Sequence, residues 1–256
     1  MFPKILRGTN TCRRRLLNNT LSLTSSCCHS IKPARIGSAS FLQLLCFRKS
    51  TSKITSMISS FLLRAFRSFL YRSDRFWIPL WLKSLGLDLQ DSVHFIGLPL
   101  VSFFQGSQIR IGSGSRVCSR SFGTALGVNH PVVLRTLTSE AKILIGERVG
   151  ISGGSFCSAK EIQVGNDCLI GADVLIADTD FHPLRPSERH DSQKAFAEAK
   201  PVRIMENVFI GSRVIVLKGV TIGAGSVIGA GSVVTQDIPA GCIAAGNPCR
   251  VIRANL

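Results

Sequence analysis

A chain of 256 residues is long enough for one solenoid domain with an appendage, and an apolar content of 45% suits a folded protein. The net charge of +16 suggests nucleic acid, yet residues 1–73 hold 13 Lys/Arg and no carboxylate, while the remainder carries 18 basic against 15 acidic residues. A basic tail therefore sets the charge, which argues against a nucleic-acid partner for the folded part. The nine cysteines are scattered without a CxxC pair. They read as small buried thiols in a reducing, cytoplasmic compartment, with no disulfide framework and no metal site.

Residues 1–56 are rich in Ser, Thr, Arg and Lys and show no sustained apolar period, which predicts a disordered basic extension. Two readings stand: an organelle transit peptide, with its Arg- and Ser-rich, acid-poor composition, or an over-extended start before Met57. The next block, 57–92, is expected to be a helical cap. From Met57 to about Tyr71, Ile58, Phe61, Leu62, Ala65, Phe66, Phe69 and Leu70 share one helical face, with Arg64, Arg67, Ser68 and Arg72 towards the other. Such a helix either closes the first coil of a solenoid or lies on an anionic membrane surface, and the cap is the favoured reading.

The solenoid is expected over 93–256. Ile204, Ile210, Val216, Ile222, Ile228 and Val234 recur at an unbroken six-residue interval, and Gly211, Gly223 and Gly229 follow three of them. Neither an α-helix nor a flat strand keeps only every sixth residue branched and apolar. A three-sided coil of short parallel strands does, because each hexad forms one side and turns one aliphatic side chain inward. Earlier coils are weaker: Val93–Ile96, Ile109–Gly112 and Val117, then Ile145, Ile151, Cys157, Val164, Ile170 and Ile176, with one bulged residue between Cys157 and Val164. Two excursions interrupt the period, near 122–142 and 178–201.

The second excursion opens with Asp178-Thr179-Asp180-Phe181-His182-Pro183. An imidazole near neutrality can take a proton from an alcohol or amine, and a neighbouring Asp can hold its tautomer. A surface turn ending in Pro is the plain alternative.

The hexads, the FHP segment, the run VFIGSRVIVLKGVTIGAGSVIGAGSVVTQDIPAG and the closing GNPCRVIR resemble the galactoside and maltose O-acetyltransferases and the related exopolysaccharide acetyltransferases of the left-handed β-helix class. The resemblance implies a mainly β, left-handed parallel β-helix, a homotrimer with sites between subunits, and acetyl-CoA as co-substrate. It implies His182 as general base for direct transfer to an acceptor hydroxyl without a covalent intermediate; Asp180, read from its place in the segment, is the expected companion of the imidazole. It places Ser212, Ala230 and Thr235 along the coenzyme and Arg250 and Arg253 at its phosphates. Ser152 stands where the sugar acetyltransferases carry an acceptor-binding Asn, and Gln236 where they carry Lys. Asn129–Thr136 looks like the exopolysaccharide branch, and His130 either lines the acceptor site or is a structural loop histidine. Three other functions stand beside it: transfer to an amino sugar, a non-catalytic scaffold trimer, and a zinc site built from His94, His130, His182 and His190, whose spacing does not favour it.

Overall fold

The computed structural model describes residues 38–191, 196 and 198–254, with side chains from Ser59 onward. Residues 1–37 of the expected disordered extension lie outside the described residues. The chain divides into two compact units, Met1–Thr55 and Ser56–Leu256.

Helix α1 spans Ser38–Ser84, so it starts earlier and ends later than the 57–71 stretch read from the sequence. No Gly or Pro interrupts Ser38 to Ile78, and the many Ser, Thr and Lys of the first part hide an otherwise unbroken helix former. Only its last third acts as a cap. Ile78 and Leu82, one turn apart, are fully buried with the first coil's Leu87, Leu89 and Phe95. Asp74, one turn earlier, is buried and accepts from Gly97 N (2.8 Å), Arg120 Nε (3.0 Å) and Arg120 Nη2 (3.2 Å). From Phe61 to Phe69 the apolar side chains stay exposed.

Six coils of three short strands follow. They are β1 (Asp88–Leu89), β2 (His94–Ile96), β3 (Leu100–Ser102); β4 (Gln108–Ile111), β5 (Arg116–Cys118), β6 (Val133–Thr136); β7 (Lys142–Ile145), β8 (Gly150–Ser152), β9 (Ser155–Ser158); β10 (Glu161–Val164), β11 (Leu169–Ile170), β12 (Leu175–Ala177); β13 (Val202–Ile204), β14 (Phe209–Ile210), β15 (Ile215–Val216); and β16 (Thr221–Ile222), β17 (Val227–Ile228), β18 (Val233–Val234). The chain closes with β19 (Ile243–Ala245) and β20 (Arg250–Arg253), the latter antiparallel to β19. The first strands of the coils form one parallel sheet, the second strands another and the third strands a third. The fold is the expected left-handed parallel β-helix.

The core consists of three inward ladders. Leu89, Ile111, Ile145, Val164, Ile204 and Ile222 stack in the first sheet. Phe95, Val117, Ile151, Ile170, Ile210, Ile228 and Ala244 stack in the second. Val101, Leu134, Phe156, Ile176, Val216 and Val234 complete the third. All are buried except Val101, which is half-buried, and each Leu, Ile or Phe so placed stabilises the coil by about 1.5–3 kcal/mol.

Two details differ from the sequence reading. The inward residue of β9 is Phe156, not Cys157, which is half-buried. The tight Gly153-Gly154 corner shortens the step from Ile151 to five residues, so the compensating lengthening falls after Phe156. The first excursion occupies 119–132, because β6 has rejoined the third sheet at Val133. The other described cysteines of the coil are buried, and burial pushes the Cys118, Cys157 and Cys168 thiols up. That opposes thiolate formation and leaves no activated sulfur nucleophile among them.

Candidate active site

Stacked hexads align their corners into edges, and most of the residues singled out by sequence fall on two of these. The edge between the second and third sheets is a column of short-chain residues. Asp173 N donates to Ser152 O (3.1 Å), Arg213 N to Ala172 O (2.8 Å) and Gly231 N to Ser212 O (2.9 Å). Ser152, Ala172, Ser212 and Ala230 thus mark successive coils at one corner. The backbones nearly touch there: a Cβ on Gly171 would stand 2.7 Å from Ser212 N, and one on Gly211 2.6 Å from Ala230 N.

The first excursion folds over the upper part of this edge. Asn129 clasps Asp173 through its backbone N (2.9 Å) and its side-chain amide. His130 holds its Nδ1 against Pro131 O at 2.7 Å, and its own carbonyl lies over Gly153. Between loop and coil lies a cavity of about 310 Å³, whose lining includes Ser121, Val128, Asn129, Asp173, Ser212 and Arg213. Below it Ala230 and Gly231 are exposed, and nothing stands within 4 Å of where a Gly231 Cβ would be, so this part of the edge is open to solvent.

Gly153 is a tight point of the loop seat. Its φ is +57, and a Cβ there would lie 2.6 Å from Val128 Cβ and 3.0 Å from His130 O. Gly153→Ala is expected to destabilise the protein by about 1–3 kcal/mol in urea unfolding. Gly225→Ala, with φ +67 but open space around it, should cost only the left-handed backbone strain of about 1 kcal/mol. Equal losses would show that the loop does not press on this corner.

The edge between the third and first sheets carries the second excursion, 178–201. Its neck is closed by Asp178, which is fully buried. Asp178 Oδ1 accepts from Ala159 N (2.7 Å), and Oδ2 from Ser158 Oγ (2.8 Å), Lys160 N (2.7 Å) and Glu161 N (2.7 Å). Its carbonyl accepts from Lys200 N at 2.8 Å, which ties the two legs together. Beyond the neck, Phe181 takes φ +65 with its N–H on Thr179 Oγ1 (3.2 Å), turning the chain before His182. The His182 side chain is exposed.

Asp180, the expected companion of the imidazole, pairs with a lysine. Its carboxylate meets Lys218 Nζ at 2.6 Å, and Lys218 also reaches Glu198 at 3.4 Å. Burial opposes the Lys218 charge, but the bonds to Asp180 and Glu198 outweigh it and hold its pKa above the ordinary lysine value. Lys218 was not singled out from the sequence. The signal was present in the register: Ile176 pairs with Val216, so Lys218 occupies in the next coil the corner position of Asp178. Thr235 follows β18 on this same edge and is exposed. Arg250 and Arg253 lie exposed at the two ends of β20, paired with Ala245 and Ile243.

Residues 201–236 match the family model described as bacterial transferase hexapeptide (six repeats). Residues 201–236 carry bacterial transferase hexapeptide repeats. Among curated relatives, this hexapeptide-repeat chain is 40% identical over 121 residues to the polysialic acid O-acetyltransferase of Escherichia coli O1:K1 / APEC, covering 46% of this chain and 38% of that protein. It is 50% identical over 93 residues to the galactoside O-acetyltransferase of Lactococcus lactis subsp. lactis (strain IL1403), covering 36% of this chain and 43% of that one. The matched stretches thus span less than half the length of these relatives. Among solved structures, AntD, an N-acyltransferase from Bacillus cereus in complex with dTDP and 3-hydroxybutyryl-CoA, superposes with a TM-score of 0.53 at 18% identity, over 72% of this chain and 91% of that one. That likeness is one of fold.

Proposed function

We propose that this chain transfers an acetyl group from acetyl-CoA to a hydroxyl of a sugar or polysaccharide precursor. The observation that carries the reading is the exposed His182 held just beyond the buried Asp178 neck, on a hexapeptide coil similar to polysialic acid and galactoside O-acetyltransferases. A coil-anchored excursion gives an imidazole a fixed position without burying it, which suits a base that must meet an incoming acceptor.

In this mechanism His182 removes the acceptor proton as the oxygen attacks the thioester carbonyl. The carbon–sulfur bond then breaks, and the coenzyme thiolate leaves with a proton returned from the imidazolium. No acyl-enzyme is involved. Ser212 and Ala230 lie along the pantetheine arm, with Thr235 further along the coenzyme. Arg250 and Arg253 offer guanidinium donors to its phosphates, while Ser152 and His130 lie by the first excursion at the acceptor end.

Ser212 and Ala230 stand on one edge, whereas His182 and Thr235 stand on another. The site is completed in a homotrimer, where the His182 edge of one copy faces the Ser212 edge of the next. Asp180 then acts on His182 through the lip that Lys218 pins. Asp180→Asn and Lys218→Met should each lower kcat about 10- to 100-fold, the cost of a displaced base. If Lys218→Met keeps the wild-type rate while Asp180→Asn does not, Asp180 instead orients the imidazole directly.

The function is tested by thiol release from acetyl-CoA with the full chain over a panel of mono-, di- and polysaccharides and amino sugars. Turnover on acceptors that offer only hydroxyls is the expected result. Turnover confined to amino sugars would make the chain an N-acetyltransferase, and absence of both turnover and coenzyme A binding would make it a scaffold.

A further inference from the structure

We propose that the outward face of α1, with the arginine-lined pocket beside it, is a docking surface for an anionic lipid bilayer. Ile78 and Leu82 fix which side of the helix meets the coil. On the opposite side Leu62, Phe66, Phe69, Ser73, Phe76 and Leu80 recur at alternating four- and three-residue steps, one continuous stripe. Its apolar members are strongly exposed, with Phe69 at 67% and Phe76 at 74%. Trp77 and Trp81 are also exposed along the same helix. A contiguous apolar surface of this kind marks an interaction site, and Trp, Phe and Leu form the buried face of helices that lie in a membrane–water boundary.

The charges around the stripe choose the partner. From Ser59 to Ser84 the helix carries Arg64, Arg67, Arg72, Arg75 and Lys83, and a single acid, Asp74. That acid is buried and already held by Arg120 and Gly97 N. Beside the helix, a pocket of about 340 Å³ opens against the first coils, with Arg72, Arg75, Arg116, His94 and Tyr71 in its lining and no acidic residue. Burial, Arg75 and Arg116 all push His94 towards its neutral form, as a concentrated positive field requires. Three guanidinium groups around such a pocket suit a headgroup phosphate.

Arg72 and Lys83 lie nearest the stripe, while Arg67 sits over the Phe122 ring on the coil side; a second copy laid along the stripe would bring like charges together. An anionic lipid surface brings the opposite charge and an apolar layer together. Among the described residues no helix is long and apolar enough to cross a membrane, so the contact is with the surface.

The experiment is flotation of the full chain with phosphatidylcholine vesicles, with and without phosphatidylglycerol. The chain is expected to float with the anionic vesicles, to bind pure phosphatidylcholine at least about tenfold more weakly, and to lose binding as salt rises. Phe69→Glu with Phe76→Glu alters only exposed positions. It should abolish flotation while thermal unfolding followed by circular dichroism stays unchanged. Arg72→Glu with Arg75→Glu should weaken binding to the anionic vesicles alone. Failure to float with anionic vesicles, or flotation retained by the Phe69→Glu/Phe76→Glu variant, overturns the proposal. So does lipid-free self-association that this variant dissolves without any vesicle binding, which would assign the stripe to a second copy.

Discussion

His182→Ala is expected to lower kcat by about 10² to 10⁴ while leaving coenzyme A binding nearly unchanged, the size of loss that follows removal of a general base. The separation of the two effects comes from the geometry. His182 projects from the excursion on the edge between the third and first sheets, whereas Ser212 and Ala230 lie on the edge between the second and third. The substitution removes an exposed side chain beyond a neck whose bonds are made by Asp178, so neither the coil nor the Ser212 edge should change. Steady-state kinetics paired with coenzyme A thermal protection measure both arms. Full turnover in the variant would remove His182 from the chemistry, and a parallel loss of coenzyme binding would make it a binding residue instead.

Asp178→Ala should destabilise the protein by about 3–5 kcal/mol, more than any exposed substitution in the excursion. The buried carboxylate accepts three backbone N–H groups and one hydroxyl, and water cannot replace it at a site with no exposed surface. Removal strands those donors and unties the neck that carries His182. Urea unfolding should show the loss, and turnover should fall with it even at concentrations where the coil remains folded. A change below about 1 kcal/mol would mean that the excursion is held elsewhere.

The regular block from Ile204 to Val234 could be read directly because each coil repeats one constraint: a single branched side chain fills the axis on each side. The earlier coils were harder for a physical reason. Phe156 replaces an aliphatic residue and sits one position early after the Gly153-Gly154 corner, so a strict six-residue count lands on Cys157. Strand β6 was overlooked because the loop before it breaks the count, although Leu134 is as buried as any residue in the later ladders. Helix α1 shows the opposite problem. Its apolar pattern identified a helix, but only tertiary contacts could show that Asp74, Ile78 and Leu82 form the cap while Phe61 to Phe69 remain bare. At the candidate site the individual residues were legible as motif positions. Their division between two edges, and the Lys218–Asp180 pair, depend on how coils stack and were not.

That division makes the shared site the claim most open to direct test. His182→Ala and Ser212→Trp copies would be prepared separately and then mixed after unfolding and refolding, with acetyl transfer measured on the best acceptor. Each variant alone should be inactive, and random mixing in a trimer should restore about one quarter of wild-type turnover, because a quarter of the shared sites then receive an intact His182 from one copy and an intact Ser212 from the next. Mixtures as inactive as the separate variants would show that both residues serve one site within a single copy, and would contradict the account.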